Sequence, residues 1–125
     1  LLAGTVMENL RLCQPTATRE QAEAACQKAD IHETILSLPD GYDTYLTENG
    51  GVLSGGQKQR ISFARTLLRD APVMIFDEPS AALDDARCAQ MHAMLEELSR
   101  EKIVLLITHD ARMLREDDDV LELGR

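Results

Sequence analysis

Sixteen residues after Gln57, a four-residue apolar run, Val73-Met74-Ile75-Phe76, ends in two adjacent carboxylates, Asp77 and Glu78. An apolar strand this short is expected to be buried on both faces, as in a parallel sheet covered by helices. A second such run, Ile103–Ile107, follows a segment in which Met91, Met94, Leu95 and Leu98 recur at helical spacing. Strand, helix and strand in that order predict a parallel pair joined by a crossover helix, opened by Asp84 or Asp85 and running to about Ser99. Two adjacent carboxylates at a buried strand end repel each other, so a cation is their natural partner. Such an end can hold Mg²⁺ and position a water.

Upstream stands Leu53-Ser54-Gly55-Gly56-Gln57, a glycine-rich turn that opens a helix. Ser54 is a good N-cap for a helix over about Gly56–Arg69, with Ile61, Ala64, Leu67 and Leu68 on one face. Asp70-Ala71-Pro72 breaks it. Two glycines permit positive φ and let an anion reach the backbone. The N–H groups and the dipole of the following helix favour a phosphate. An ordinary glycine-rich cap would look the same, but the downstream Asp-Glu points to nucleoside-triphosphate chemistry. Gly51 to Gly56 also satisfy the opening of a P-loop, G-x-x-x-x-G, yet Gln57 stands where that motif needs Lys. The turn is therefore not a P-loop, and no other segment of the chain matches one.

The remaining segments are read from caps and breakers. Thr5 caps a short helix to about Leu12, stopped by Pro15. Thr18 and Gln21 form a capping-box pattern opening an alanine-rich helix to about Ala29. A short helix over His32–Ser37 follows, then a turn at Pro39-Asp40-Gly41. Tyr42–Val52 reads as irregular, with Gly50-Gly51 adding freedom. Ala111–Leu114 is a helical turn, and Val120–Leu123 is expected to form a third strand before a turn at Gly124.

Composition narrows the function. A net charge of −9 argues against nucleic acid as a partner, because phosphate backbones demand clustered Lys and Arg. No apolar run reaches the ~20 residues of a membrane helix, and Leu1-Leu2-Ala3-Gly4 does not make a signal peptide. Cys13, Cys26 and Cys88 are three and share no C-x-x-C spacing, so free thiols are expected.

These residues resemble the ATP-binding-cassette (ABC) ATPases. In that family the signature reads LSGGQ, as Leu53–Gln57 does, and the Walker B motif reads four apolar residues then Asp-Glu, as Val73–Glu78 does. Ala82-Leu83-Asp84 resembles the D-loop, with Ala81 where the family usually has Ser; His109, after an apolar strand and Thr108, resembles the switch histidine. The stretches Ala3–Leu10 and Ser37–Thr44, with Glu48 and Gly50, resemble exporter cassettes, although Thr47 replaces a family glycine. Three consecutive aspartates, Asp117 to Asp119, depart from the family, which usually has one there.

The resemblance implies an α/β fold of P-loop NTPase type: a helical signature subdomain over residues 1–70, then part of a parallel-sheet catalytic subdomain over 71–125. It implies ATP and Mg²⁺ as ligands. Asp77 would hold the metal, Glu78 would act as general base, and His109 would contact the γ-phosphate. Ser54, Gly55, Gly56, Gln57 and Asp84 would contact nucleotide. The implied partners are a second nucleotide-binding domain and the transmembrane domains of an exporter, at the cytoplasmic face of a membrane. The Walker A strand and its Lys are expected upstream of Leu1, so the chain alone is expected to be inactive. Two other readings stay open: a piece of a soluble ABC ATPase of chromosome maintenance or translation, and a non-hydrolysing interaction module.

Overall fold

The computed structural model describes residues 1–81 and 83–123. Thr5 and Thr18 each close a full capping box, over helix α1 (Val6–Arg11) with Glu8 and over α2 (Arg19–Lys28) with Gln21. Helix α3 (His32–Leu36) follows. Two residues at each of two places, β1 (Gly4–Thr5) and β2 (Tyr45–Leu46), pair antiparallel and pin the ends of this segment together. The stretch read as irregular thus holds β2 and parts of two short 3₁₀ turns, Gly41–Asp43 and Glu48–Gly50. Gly50 and Gly51 do more than loosen the chain. Their φ of 78° and 30° lie in the left-handed region, which side chains rarely adopt.

Helix α4 (Gly55–Arg69) is the spine and packs against both α1 and α2. Ile61, Ala64 and Leu68 are buried as the helical spacing predicts, with Leu67 partly buried beside them; Phe63 joins them. Asp70 ends the helix in a left-handed conformation, and its carboxylate lies 2.6 Å from Lys102 Nζ. Strand β3 (Val73–Asp77), helix α5 (Asp85–Ser99) and strand β4 (Ile103–Ile107) follow, and the strands pair parallel with Val73 opposite Ile103 and Asp77 opposite Ile107. Met91 and Leu95 carry the buried stripe of α5, flanked by Met94 and Leu98. A 3₁₀ turn over Ala111–Met113 ends the regular structure.

Two sequence expectations fail here, for one physical reason. Val73–Phe76 is not buried on both faces: Met74 and Phe76 point inward, while Val73 and Ile75 are 45% and 58% exposed. Ile103, Leu105 and Ile107 on the neighbouring strand are exposed as well, so that strand is not a buried one. Side chains alternate across a strand. The inward set meets α4 and α5, and no element among the described residues covers the other face. Val120–Leu123, expected as a third strand, forms no strand and is exposed. The turn expected at Gly124 lies outside the described residues, as does Ala82 of the loop before Asp84.

One contiguous core runs from Val6 to Met113. Phe63 of α4 meets Phe76 of β3 with ring centroids 4.7 Å apart, which ties the helical part to the sheet. Tyr42 is fully buried, with its hydroxyl 2.8 Å from His32 Nδ1 and the Arg19 guanidinium 5.5 Å over its ring. Burial pushes the nearby Cys26 thiol up to about 11 and raises the Tyr42 phenol as well.

Candidate functional site

The signature-like turn begins with a cap. Ser54 is extended, its Oγ accepts from Gln57 N at 3.2 Å, and Gln57 Oε1 accepts from Ser54 N at 2.9 Å. This box commits the Gln57 N–H to Ser54. The Ser54 hydroxyl accepts there, and its own proton has no acceptor among the described residues. Gly55 and Gly56 occupy the first two helical positions, where N–H groups have no partner within the helix. Neither has a positive φ, contrary to one reason for expecting glycine there. A Cβ added at either meets nothing within 4 Å. Neither the backbone conformation nor this chain's own packing demands a glycine at these two positions.

Strand β3 ends in Asp77, and Glu78 follows it directly. Glu78 leaves the strand with φ of 47°, a sparsely populated conformation for a residue with a long side chain. Its N–H donates to Ile107 O at 2.8 Å, which continues the parallel pairing one step further. The left-handed turn breaks strand alternation and brings the carboxylate to the exit of β4. There Glu78 Oε1 lies 2.6 Å from His109 Nδ1 and accepts from His109 N at 3.2 Å, and Oε2 accepts from Thr108 Oγ1 at 3.4 Å. Glu78 is one-third exposed, and His109 at 91% is open to solvent. The structure therefore joins the two residues the sequence singled out for catalysis. Asp77, beside them, has no side-chain hydrogen bond or ion pair among the described residues.

Five supporting residues, Gln59, Ser80, Thr108, Asp110 and Arg112, were not singled out in the sequence. Gln59, in the second turn of α4, donates from Nε2 to Glu78 O at 2.6 Å. Thr108 accepts from Asp110 N at 2.9 Å while it reaches Glu78. Asp110 accepts from Ser80 Oγ at 2.8 Å and pairs with Arg112 at 2.7 Å. The Arg112 guanidinium and the Ser80 hydroxyl hold the Asp110 carboxyl well below the usual carboxylate range. Arg112 also reaches Asp85 at 2.7 Å and Leu83 O at 3.4 Å, tying the segment after His109 to the start of α5. The only sequence signal for these residues was their closeness to a motif: Gln59 lies two after Gln57, and Thr108 and Asp110 flank His109.

Asp84 caps α5 by accepting from Arg87 N at 2.8 Å. No hydrogen bond or ion pair among the described residues joins Ser54–Gln57 to Asp77, Glu78 or His109 directly. Gln59 is the link between the two groups.

The arrangement offers an anion two helical N–H groups and a hydroxyl at one place, and a carboxylate–imidazole pair at another. It suits a Mg²⁺–phosphate group better than a bare cation. No group of three or more His, Cys, Asp or Glu side chains able to hold a metal occurs among the described residues. The Glu78 carboxylate is engaged by His109 and Thr108, which leaves Asp77 as the available ligand. One carboxylate suits an octahedral Mg²⁺ that keeps waters and phosphate oxygens.

A family model described as ABC transporter matches residues 3–81. A Haemophilus influenzae protein named probable ABC transporter ATP-binding/permease protein is 43% identical over 123 residues, which is 97% of this chain and 22% of that protein. The Vibrio cholerae ATP-dependent lipid A-core flippase is 47% identical over 104 residues, 83% of this chain and 18% of the flippase. A Mycobacterium tuberculosis mycobactin import ATP-binding/permease protein is 42% identical over 123 residues, 98% of this chain and 14% of that protein. Among solved structures, a bacterial Atm1-family ABC exporter with ATP bound superposes with a TM-score of 0.80 at 34% identity, over 88% of this chain and 19% of the exporter. The chain thus spans between 14% and 22% of the length of these relatives.

Proposed function

This chain belongs to the ABC transporter family, and we propose that it forms the signature and Walker B portion of an exporter-type nucleotide-binding domain that hydrolyses ATP to drive transport. Residues 1–70 would be the helical signature subdomain and 71–125 part of the catalytic subdomain. The observation that carries the reading is the 2.6 Å contact between Glu78 and His109 at the paired strand ends, beside the unengaged Asp77.

Bound Mg²⁺, held at Asp77 through oxygen ligands, would neutralise phosphate charge. Glu78 would accept a proton at a fixed place: its carboxylate is held by donors from Thr108 Oγ1 and His109 N and by the contact with His109 Nδ1, and it stays one-third open, so an approaching water can meet it. His109 is exposed on the other side of that contact, where its ring can face a terminal phosphate. The free N–H groups of Gly55 and Gly56 and the Ser54 hydroxyl point to a second phosphate contact. Glycine at two positions with open space around them fits a surface that an outside group approaches closely. Asp84 would serve the neighbourhood of the second nucleotide while capping α5.

In this reading two such domains face each other, and the Ser54–Gln57 turn covers ATP held by the partner. The domains lie on the cytoplasmic side of a membrane and act on transmembrane domains. Relatives named for import, for lipid flipping and for export share this segment, which fits a part that carries ATP chemistry rather than cargo choice. Their names as ATP-binding/permease proteins favour transport over a soluble ABC ATPase.

The test is a mixed dimer of the full-length protein, one subunit carrying Ser54→Arg and the other Glu78→Gln. Both lesions should fall on one nucleotide site and leave the other intact, so a trapping assay should find one competent site. Two equally impaired sites would refute the arrangement.

A further inference from the structure

Glu78 poses a question that the hydrolysis reading leaves open. A glutamate with φ of 47° has no intrinsic reason to stay there. Its N–H is held by Ile107 O, and its carbonyl accepts from Ala81 N at 3.1 Å within the local turn. The first lies on the other side of the Cα and does not fix the peptide between residues 78 and 79; the second holds that carbonyl only from within its own turn, which the ring of Pro79 also stiffens. The one clamp on that carbonyl from elsewhere in the fold is Gln59 Nε2, at 2.6 Å and from 19 residues away in sequence. Gln59 sits on α4, which is anchored to the sheet by Phe63 against Phe76 and to α1 and α2 behind.

We propose that Gln59 is a positioning residue: by holding the Glu78 carbonyl it fixes the left-handed turn that aims the Glu78 carboxylate at His109 and at the attacking water. The inference rests on the hydrolytic role assigned above to Glu78. A side chain on a packed helix is suited to this task, because its donor is fixed by the helix rather than by the loop it restrains. Losing the clamp leaves the carbonyl held only by Ala81 N from within its own turn, so the turn loosens and the carboxylate shifts by a distance that matters to chemistry but not to nucleotide affinity. Gln59 follows the Ser54–Gln57 turn on one rigid helix, so a shift of that turn also reaches Glu78 through this bond.

The experiment uses the full-length protein in which this segment stands, with Gln59→Leu, Gln59→Lys, Glu78→Gln and the Gln59→Leu/Glu78→Gln double variant. Gln59→Leu should lower kcat for ATP by about 10- to 100-fold with KM unchanged, the size expected when a reacting group is displaced by about 1 Å. In the Glu78→Gln background the same change should cost nothing further, because the effect passes through that carboxylate. Gln59→Lys keeps an N–H donor and should recover part of the rate. Wild-type kcat in Gln59→Leu, a KM effect alone, or additivity with Glu78→Gln would overturn the proposal. A crystal structure of Gln59→Leu supplies a readout independent of turnover. Glu78 leaving the left-handed region and losing His109 supports the clamp, and an unmoved Glu78 overturns it. If Glu78→Gln itself leaves ATP turnover intact, the hydrolytic role of Glu78 fails, and the crystal structure still decides what Gln59 holds.

Discussion

At the scale of single residues, Gly56 separates stability from function. Alanine is the better helix former by up to about 1 kcal/mol, and a Cβ at Gly56 meets open space. Gly56→Ala should therefore leave the unfolding temperature unchanged or slightly raised. If the turn faces a phosphate, the same methyl group should lower ATP turnover of the full-length protein by about 10-fold or more. Thermal scanning beside a steady-state ATPase assay checks both signs. Cys26 supplies a second residue-scale prediction. Its folded pKa of about 11 lies above the ordinary value of 9.0, because burial disfavours the thiolate. A raised folded pKa means that this contribution is complete below about pH 9 and is lost as pH rises toward 11. Tyr42 is shifted the same way. Denaturant midpoints should fall across that window, and Cys26→Ala should flatten part of the fall, on the order of 2 kcal/mol.

At the scale of elements, the capping boxes on α2 and α4 allow a matched comparison. Thr18 and Ser54 each accept from the residue three ahead, and each receives that residue's side chain on its own N–H. Thr18→Ala and Ser54→Ala should each destabilise the fold by about 1 kcal/mol, the usual cost of losing such a cap. Only Ser54→Ala should also weaken ATP-driven closure, because only that helix start is assigned a phosphate. Equal effects of both on turnover would reduce Ser54 to a structural cap. The tie from Phe63 to Phe76 and the Gln59 bond to Glu78 carry much of the mechanical connection between α4 and β3.

At the scale of the whole molecule, the uncovered face of the sheet dominates. Val73, Ile75, Ile103, Leu105 and Ile107 form an exposed apolar strip on adjacent parallel strands. Such strips mark surfaces that another element covers. The isolated 125-residue chain should therefore self-associate, as judged by sedimentation velocity, and Ile75→Thr combined with Leu105→Thr should shift it toward monomer. The chain contains no G-x-x-x-x-G-K-[ST] segment, so the same preparation should show no Mg²⁺-dependent ATP turnover that Glu78→Gln abolishes.

What was legible in the sequence was whatever depends on neighbours within a few residues. Caps at Thr5, Thr18 and Ser54, the helical stripes of α4 and α5, and the strand-end acids at Asp77 and Glu78 all follow from short-range spacing. The parallel strand order followed too, because a helix-length crossover admits little else. The burial of β3 and β4 was misread, since an apolar run looks the same whether one face is covered or two. Val120–Leu123 was misread for a related reason: apolar alternation makes a strand only where a partner edge lies beside it. The left-handed turn at Glu78, the Gln59 clamp and the Arg112 bridge to Asp85 were decided by tertiary structure alone. Their partners lie 19 and 27 residues apart in the chain. A glutamine amide or a guanidinium is as well satisfied by water as by a distant carbonyl, so nothing in local sequence announces the partner until the elements are packed.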